Sequence, residues 1–453
     1  MEQKNQDMTS GSLAKGILFF SIPLMLSNIL QVLFNMSDIA VVGHFAGAMA
    51  LGSVGSTTIL VTMFTGFLIG LSGGINVLVA LYYGAKNERG VKETVHSAAI
   101  LSLIIGVILL LIGAGFSRNI LELLNTKEEL LDGAVLYIRL YFLGLPALAL
   151  YNFGNAVFSA VRDTKRPLLY LAVAGVLNIL LNLFFVVVCQ MGAAGVGLAS
   201  ALSQYVSAGL IVRALFISKG IFRLQMKDMK LTKGKARDIV RIGIPAGCQN
   251  MIFAIANLFV QVGVNSFSAT MVAGNSAAAN SDALIYDMMA AFYTGCASFM
   301  GQNYGAGKKE RILKSYFISL AYSFGVGAIM GLMLVIFGRQ FLSLFTNDPE
   351  VVKAGMYRIS IMGFSYGISA FMDCTIAASR ALGKSLVPTV VVIMGSCVFR
   401  IIWVYTVFAY FHTIPSLYLL YSFSWSITGL VEILYFIHVY REKVKNGMKA
   451  VQE

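Results

Sequence analysis

Apolar runs of more than twenty residues, parted by short polar loops, recur along the whole chain. Each bilayer crossing needs roughly 20 mainly apolar residues. Twelve stretches qualify: 16–42, 50–81, 94–116, 134–160, 167–190, 192–217, 239–266, 272–301, 312–337, 353–381, 386–411 and 415–440. The pattern predicts an all-α integral membrane protein with twelve transmembrane helices, several of them long enough to tilt or kink. Composition agrees, since 58% hydrophobic and 12% charged residues with a mean hydropathy of +0.78 are not those of a soluble domain. The opening MEQKNQDMTSGSLAKG has no short apolar core ahead of a small-residue cleavage site, so the run from Ile17 is expected to be a retained helix.

Charge then orients the helices. With both termini placed on the cytoplasmic side, the inner segments carry twenty-six of the thirty-four Lys and Arg residues, and the outer loops carry only Arg118, Lys127, Arg339 and Lys353. The positive-inside rule therefore predicts cytoplasmic termini. The same asymmetry explains the net charge of +13 without a nucleic-acid partner.

The most basic loop, from Lys219 to Arg241, divides the chain almost equally. Ile22-Pro23 recurs as Ile244-Pro245, Asn28 as Asn250 and Glu88-Arg89 as Glu310-Arg311, all 222 residues on. Pro167 recurs as Pro388 at 221 and Arg139 as Arg358 at 219. An even number of helices per half predicts a parallel repeat about an axis along the membrane normal, a pseudo-two-fold pair of lobes suited to alternating access. The expected parts are an N-terminal tail (1–15), a six-helix lobe (16–217), a basic linker (218–238), a second six-helix lobe (239–440) and a C-terminal tail (441–453), with both tails and the linker cytoplasmic.

Five acids fall inside apolar stretches: Asp38, Asp282, Asp287, Asp373 and Glu432. Ionisable groups at membrane depth are costly and mark ion or substrate pathways. Asp38 has no base at comparable depth in its own half, which favours exchange of H⁺ or Na⁺ over fixed pairing. Asp287 and Asp373 are within reach of pairing with Arg400, the one deeply placed base, while Asp282 lies nearer the outer water. Glu432 is expected to snorkel or to pair locally. Asn178 and Asn182 stand four apart on one helix face and offer carbonyl oxygens to Na⁺ or hydrogen bonds to a protonated acid. Gln31 and Asn35 share the face of Asp38. Pro23 is either a bend in the first helix or an ordinary first-turn proline. Many Met, Phe and Tyr residues would suit an adaptable site for flat cations, although most must be core or lipid-facing.

Enzyme chemistry finds no foothold. There is no GxxxxGK[ST] phosphate loop, the four His are not at ligand spacing, and the five Cys sit singly in apolar segments. No cofactor is expected, so uphill transport would draw on an ion gradient.

Five motifs carry a resemblance: SIPLMLSNILQVLFNMSDIAVVGHFAG, ALYYGAKNERG, AVRDTKRP, GQNYGAGKKER and SRALGKSLVP. Together they make the chain resemble bacterial members of the multidrug and toxic compound extrusion (MATE) family over nearly its full length. The resemblance implies a V-shaped, monomeric antiporter in a bacterial cytoplasmic membrane, expelling amphipathic organic cations against H⁺ or Na⁺. It makes Asp38 the coupling acid of the first helix. In the fifth helix the family commonly places Asp four residues after an Asn; this chain keeps Asn178 but has Asn182 in the acid's position. The expected ion site is therefore Asp38, Asn178 and Asn182, with Na⁺ as one candidate occupant. Asp282, Asp287, Asp373 and Arg400 are expected to bind substrate or a second ion, and Pro23 to act as the hinge. The competing readings are export or flipping of an endogenous metabolite or lipid-linked sugar and, further off, a membrane-embedded enzyme or a passive channel.

Overall fold

The computed structural model describes residues 7–445. Within a bilayer each backbone N–H and C=O must be satisfied internally, and the described residues do so with helices alone. In chain order these are α1 (Leu13–Val41), α2 (Gly47–Gly84), α3 (Glu88–Leu123), α4 (Glu128–Phe142), α5 (Leu145–Ala160), α6 (Lys165–Leu183), α7 (Gly192–Ile217) and α8 (Lys233–Asn265). There follow α9 (Ala269–Gly305), α10 (Lys309–Leu342), α11 (Pro349–Ala381), α12 (Leu386–Val392), α13 (Phe399–Trp403), α14 (Ala409–Phe411) and α15 (Ile414–Tyr440). Two π-helical segments, Ile393–Val398 and Val404–Phe408, join α12 to α14 into one rod.

Nine stretches among the described residues are long and apolar enough to cross a membrane, and the pair α4 and α5, bent by 44°, makes a tenth. The bend divides the expected single helix 134–160, because Pro146 in the first turn of α5 has no N–H to continue the ladder. The first stretch, Leu13–Gly84, has 72 residues. At 1.5 Å per residue that is about 108 Å, against a hydrocarbon core of about 30 Å. It therefore holds two crossings, α1 and α2, parted by the π turn Val42–Ala46 and Gly47 at φ 82°. The twelfth, α9, is 37 residues long, and its Asn, Ser and Asp residues lower its apolarity.

The described residues form two compact units, Leu26–Gly247 and residues 248–445 with Asp7–Met25. Both of the long helices with an internal proline change unit just after it: α1 two residues beyond Pro23 and α8 two residues beyond Pro245. The first lobe expected at 16–217 thus gives up the start of its first helix. In the second unit Ile17, Phe20 and Leu24 pack on Phe292 and Phe299, with the Phe20 and Phe299 rings edge to face at 5.7 Å. In the first unit Gly243, Ala246 and Gly247 of α8 lie against the α2 backbone at Gly70 and Gly74.

Two segments expected outside the lobes, the N-terminal tail and the basic linker, are packed onto the units. Of the N-terminal tail, residues 1–6 lie outside the described residues, as does most of the C-terminal tail. Met8, however, is fully buried, and its N–H donates to Gln302 at 3.1 Å. The Arg311 guanidinium donates to the carbonyls of Met8, Ser10 and Gly11 at 3.0–3.2 Å. In the linker, Phe222 and Leu224 are buried, and the Gln225 N–H donates to His96 Nε2 at 3.0 Å. Lys92 lies 2.8 Å from Asp228, and this contact holds the Asp228 carboxyl below its ordinary range.

The first unit's core surrounds Leu60, Phe64, Leu68, Ile138 and Phe142. The second buries Met289, Met300, Met362, Met372, Tyr418 and Trp425, so much of the chain's Met and aromatic content is core. Between α10 and α11 the approach is close enough that a Cβ on Gly331 would collide with the Gly363 carbonyl. Backbone cannot give way, so Gly331→Val is expected to destabilise the protein by about 1–3 kcal/mol. A thermal-unfolding midpoint in detergent below that of the wild type is the check.

Candidate ion and substrate site

In the first unit α1, α6 and α7 bring four polar side chains together. Asn182 donates to Asp38 Oδ1 at 2.5 Å, and Ser200 donates to Asp38 Oδ2 at 3.2 Å. Asn182 also donates to Asn178 Oδ1 at 3.2 Å, and Asn178 donates to Ser200 at 3.4 Å, closing a ring of neutral partners. The i, i+4 spacing on α6 makes the amide pair possible, and Asn178, Asn182 and Ser200 are all buried. Among the described residues Asp38 forms no ion pair, and the Asn182 carbonyl oxygen has no hydrogen-bond partner.

Asp38 borders a cavity of about 260 Å³. Gln31, Asn35 and Asn178 share its wall, as do the rings of Phe34, Tyr141 and Tyr151. Phe34 is seated where Gly175 has no side chain; a Cβ there would overlap the ring. Chemically the arrangement is a carboxylate with neutral oxygen-bearing neighbours and no basic side chain paired to it among the described residues, facing a chamber with polar and aromatic sides.

The acids of the second unit are dispersed. Asp282 is ion-paired with Arg358 and accepts a hydrogen bond from Tyr366. Arg358 also donates to Asn275 Oδ1 at 2.6 Å, which accepts from Tyr418 at 2.8 Å. The expected role of Asp282 toward substrate thus meets a carboxylate already held by protein partners. Among the described residues Arg400 is not ion-paired with Asp373. Its guanidinium donates to Asn257 at 3.2 Å and Ser424 at 3.4 Å, and lies over the Tyr421 ring at 4.5 Å. Rings and neutral oxygens from α8 and α15 surround it. Asp287 is half-buried on α9, and Asp373 is buried on α11 with Oδ2 lacking a partner among the described residues. Pro23 lies ten residues into α1, so it is no first-turn proline.

Sequence reasoning missed Ser200, one of many serines and visible only once α7 is seated on α6. It also missed the Asp282 and Arg358 pair, although the recurrence of Arg139 as Arg358 was a signal. Glu432 does not snorkel: it is fully buried on α15.

Among the described residues twelve membrane crossings in two repeats, with carboxylates at membrane depth and a polar chamber within the first repeat, define a membrane-transporter architecture. The chain belongs to the MatE family, whose model matches it twice, at residues 23–184 and 245–406. It is 29% identical over 391 residues to YpnP of Bacillus subtilis (strain 168), a "Probable multidrug resistance protein", covering 85% of this chain and 86% of that one. A FAD transporter of Shewanella oneidensis is 22% identical over 364 residues and 80% of each chain. The fold is that of a solved outward-facing multidrug resistance MATE family transporter of the MOP superfamily, with a TM-score of 0.89 at 21% identity, over 96% of this chain and 97% of the other.

Removing one member of a buried ion pair leaves the other charge uncompensated, at a cost of roughly 3–5 kcal/mol. Arg358→Met is expected to lose about that much stability, and the double replacement Arg358→Met with Asp282→Leu to recover most of it. Unfolding in detergent by denaturant checks both, and a single variant as stable as the wild type would refute the account.

Proposed function

We propose that this MatE-family protein is an efflux antiporter that exports amphipathic organic cations in exchange for H⁺ or Na⁺, with Asp38, Asn178 and Asn182 as the ion site. One observation carries the reading. Among the described residues Asp38 is held by neutral donors only and has no basic partner; it lines the wall of a cavity, with the unpartnered Asn182 oxygen buried behind it. A cation arriving from solution is the partner this arrangement lacks. Hard oxygen donors suit Na⁺, and the carboxylate alone suffices for H⁺.

The cavity, about 260 Å³, lies just below the ~300 Å³ at which drug-sized pockets begin. It suits an ion and its water, or one ring of a larger cation against Phe34 and Tyr141. In this mechanism ion and substrate compete. Uptake of the ion at Asp38 rearranges α1 about Pro23 and releases substrate, and Asp287 and Asp373 serve substrate or a second ion. In this reading both termini are cytoplasmic, in keeping with the basic loops, and the chain acts as a monomer in a bacterial cytoplasmic membrane. A second reading, export of an endogenous metabolite, draws on the FAD transporter among the relatives.

Ethidium flux in proteoliposomes, driven by a Na⁺ gradient or a pH gradient in turn, tests the proposal, with FAD as the competing cargo. Asp38→Asn is expected to abolish ion-driven ethidium movement without loss of folded protein. Coupled flux at the wild-type rate in that variant would sink the assignment, and FAD movement without ethidium movement would favour the second reading.

A further inference from the structure

The second unit holds a carboxylate that neither the site at Asp38 nor the network at Arg358 uses. Glu432, in the second half of α15, is fully buried, and neither of its oxygens has a hydrogen-bond partner among the described residues. The charged groups that act on it are Arg380 and Asp373, two turns apart on α11, and Tyr435 lies one turn on in its own helix. Asp373 in turn faces Tyr286 and Tyr293 of α9 and Arg400 of α13.

The Arg380 guanidinium is directed elsewhere. It donates to Gln249 Oε1 at 2.8 Å and to Thr389 Oγ1 at 3.4 Å, while its Nε has no partner. A buried carboxylate given neither donors nor an ion pair by the protein is among the costliest groups to bury, whereas the neutral acid is tolerated. The position of Arg380 fits the neutral form, since a charged Glu432 would draw the guanidinium across the gap.

We propose that Glu432 is a proton-exchange site and that its charge selects the partner of Arg380. With the acid protonated, Arg380 binds Gln249 of α8 and Thr389 of α12. When the proton leaves to water, the carboxylate takes Arg380 and frees Gln249. Gln249 is buried four residues beyond Pro245, so the exchange reaches α8 at the point where that helix passes from one unit to the other. The proposal is independent of transport at Asp38.

The test uses full-length protein made by cell-free synthesis with glutamate ¹³C-labelled at the side-chain carboxyl, reconstituted in lipid and followed by infrared pH titration. Wild type is expected to show a label-shifted protonated-acid carbonyl band at neutral pH. That band is lost in Glu432→Gln and kept in Asp38→Asn. Its absence from the wild type, or its persistence in Glu432→Gln, overturns the proposal. Should Glu432→Gln fail to fold, Glu432→Asp replaces it, because it too must lose the glutamate-labelled band. Hydrogen exchange of peptides spanning residues 245–255, corrected for intrinsic rates, reads the switch. Wild-type protection is expected to fall as the band titrates, and that of Glu432→Gln to stay constant. Wild-type protection that does not change with pH overturns the switching of Arg380.

Discussion

A carboxylate carried into the membrane interior must find a partner there or give up its charge, because the lipid offers none. The way each acid meets that demand organises this protein. Asp282 meets it with Arg358, Tyr366 and the Asn275 and Tyr418 pair, a fixed network in the second unit. Among the described residues Asp38 meets it with Asn182 and Ser200 alone, its charge balanced by no base. The first arrangement is structural in character and the second is receptive to a cation.

The same contrast separates the two repeats. Their proline-containing helices, α1 and α8, are matched so closely that each changes unit two residues past its proline. Yet the position that holds Asp38 in α1 holds Val260 in α8, 222 residues on, buried in the second core. Symmetry was kept in the backbone and relaxed in the chemistry. The second repeat has its ionisable groups on α9, α11 and α15 instead, where they contact different helices.

How much was legible beforehand follows from the kind of signal involved. Length and apolarity announced the helices because each crossing must satisfy its own backbone. The two-fold repeat was legible because residues that fix backbone geometry, such as Pro23 and Pro245, recur at constant spacing. Asp38, Asn178 and Asn182 were legible because a charge or amide pair is conspicuous among Leu and Val. Ser200 and the Gln249 end of Arg380 were not, since polar side chains that meet across helices leave no periodic trace. The expected pairing of Arg400 with Asp373 is not formed, for a related reason: depth along a helix says how far into the membrane a group lies, but not toward which neighbour it turns.

By itself, then, the chain's pattern of apolar and polar residues determined that it is a helical membrane protein of two six-helix repeats with an acid in its first helix. These follow from local rules, namely hydrogen-bond satisfaction, segment length and the cost of charge in lipid. Tertiary structure alone decided that α1 and α8 are each shared between units, that residues 8–11 are tied to Arg311, and which acids are paired. These depend on how helices are rotated against one another, and that rotation is set by the packing of many side chains at once.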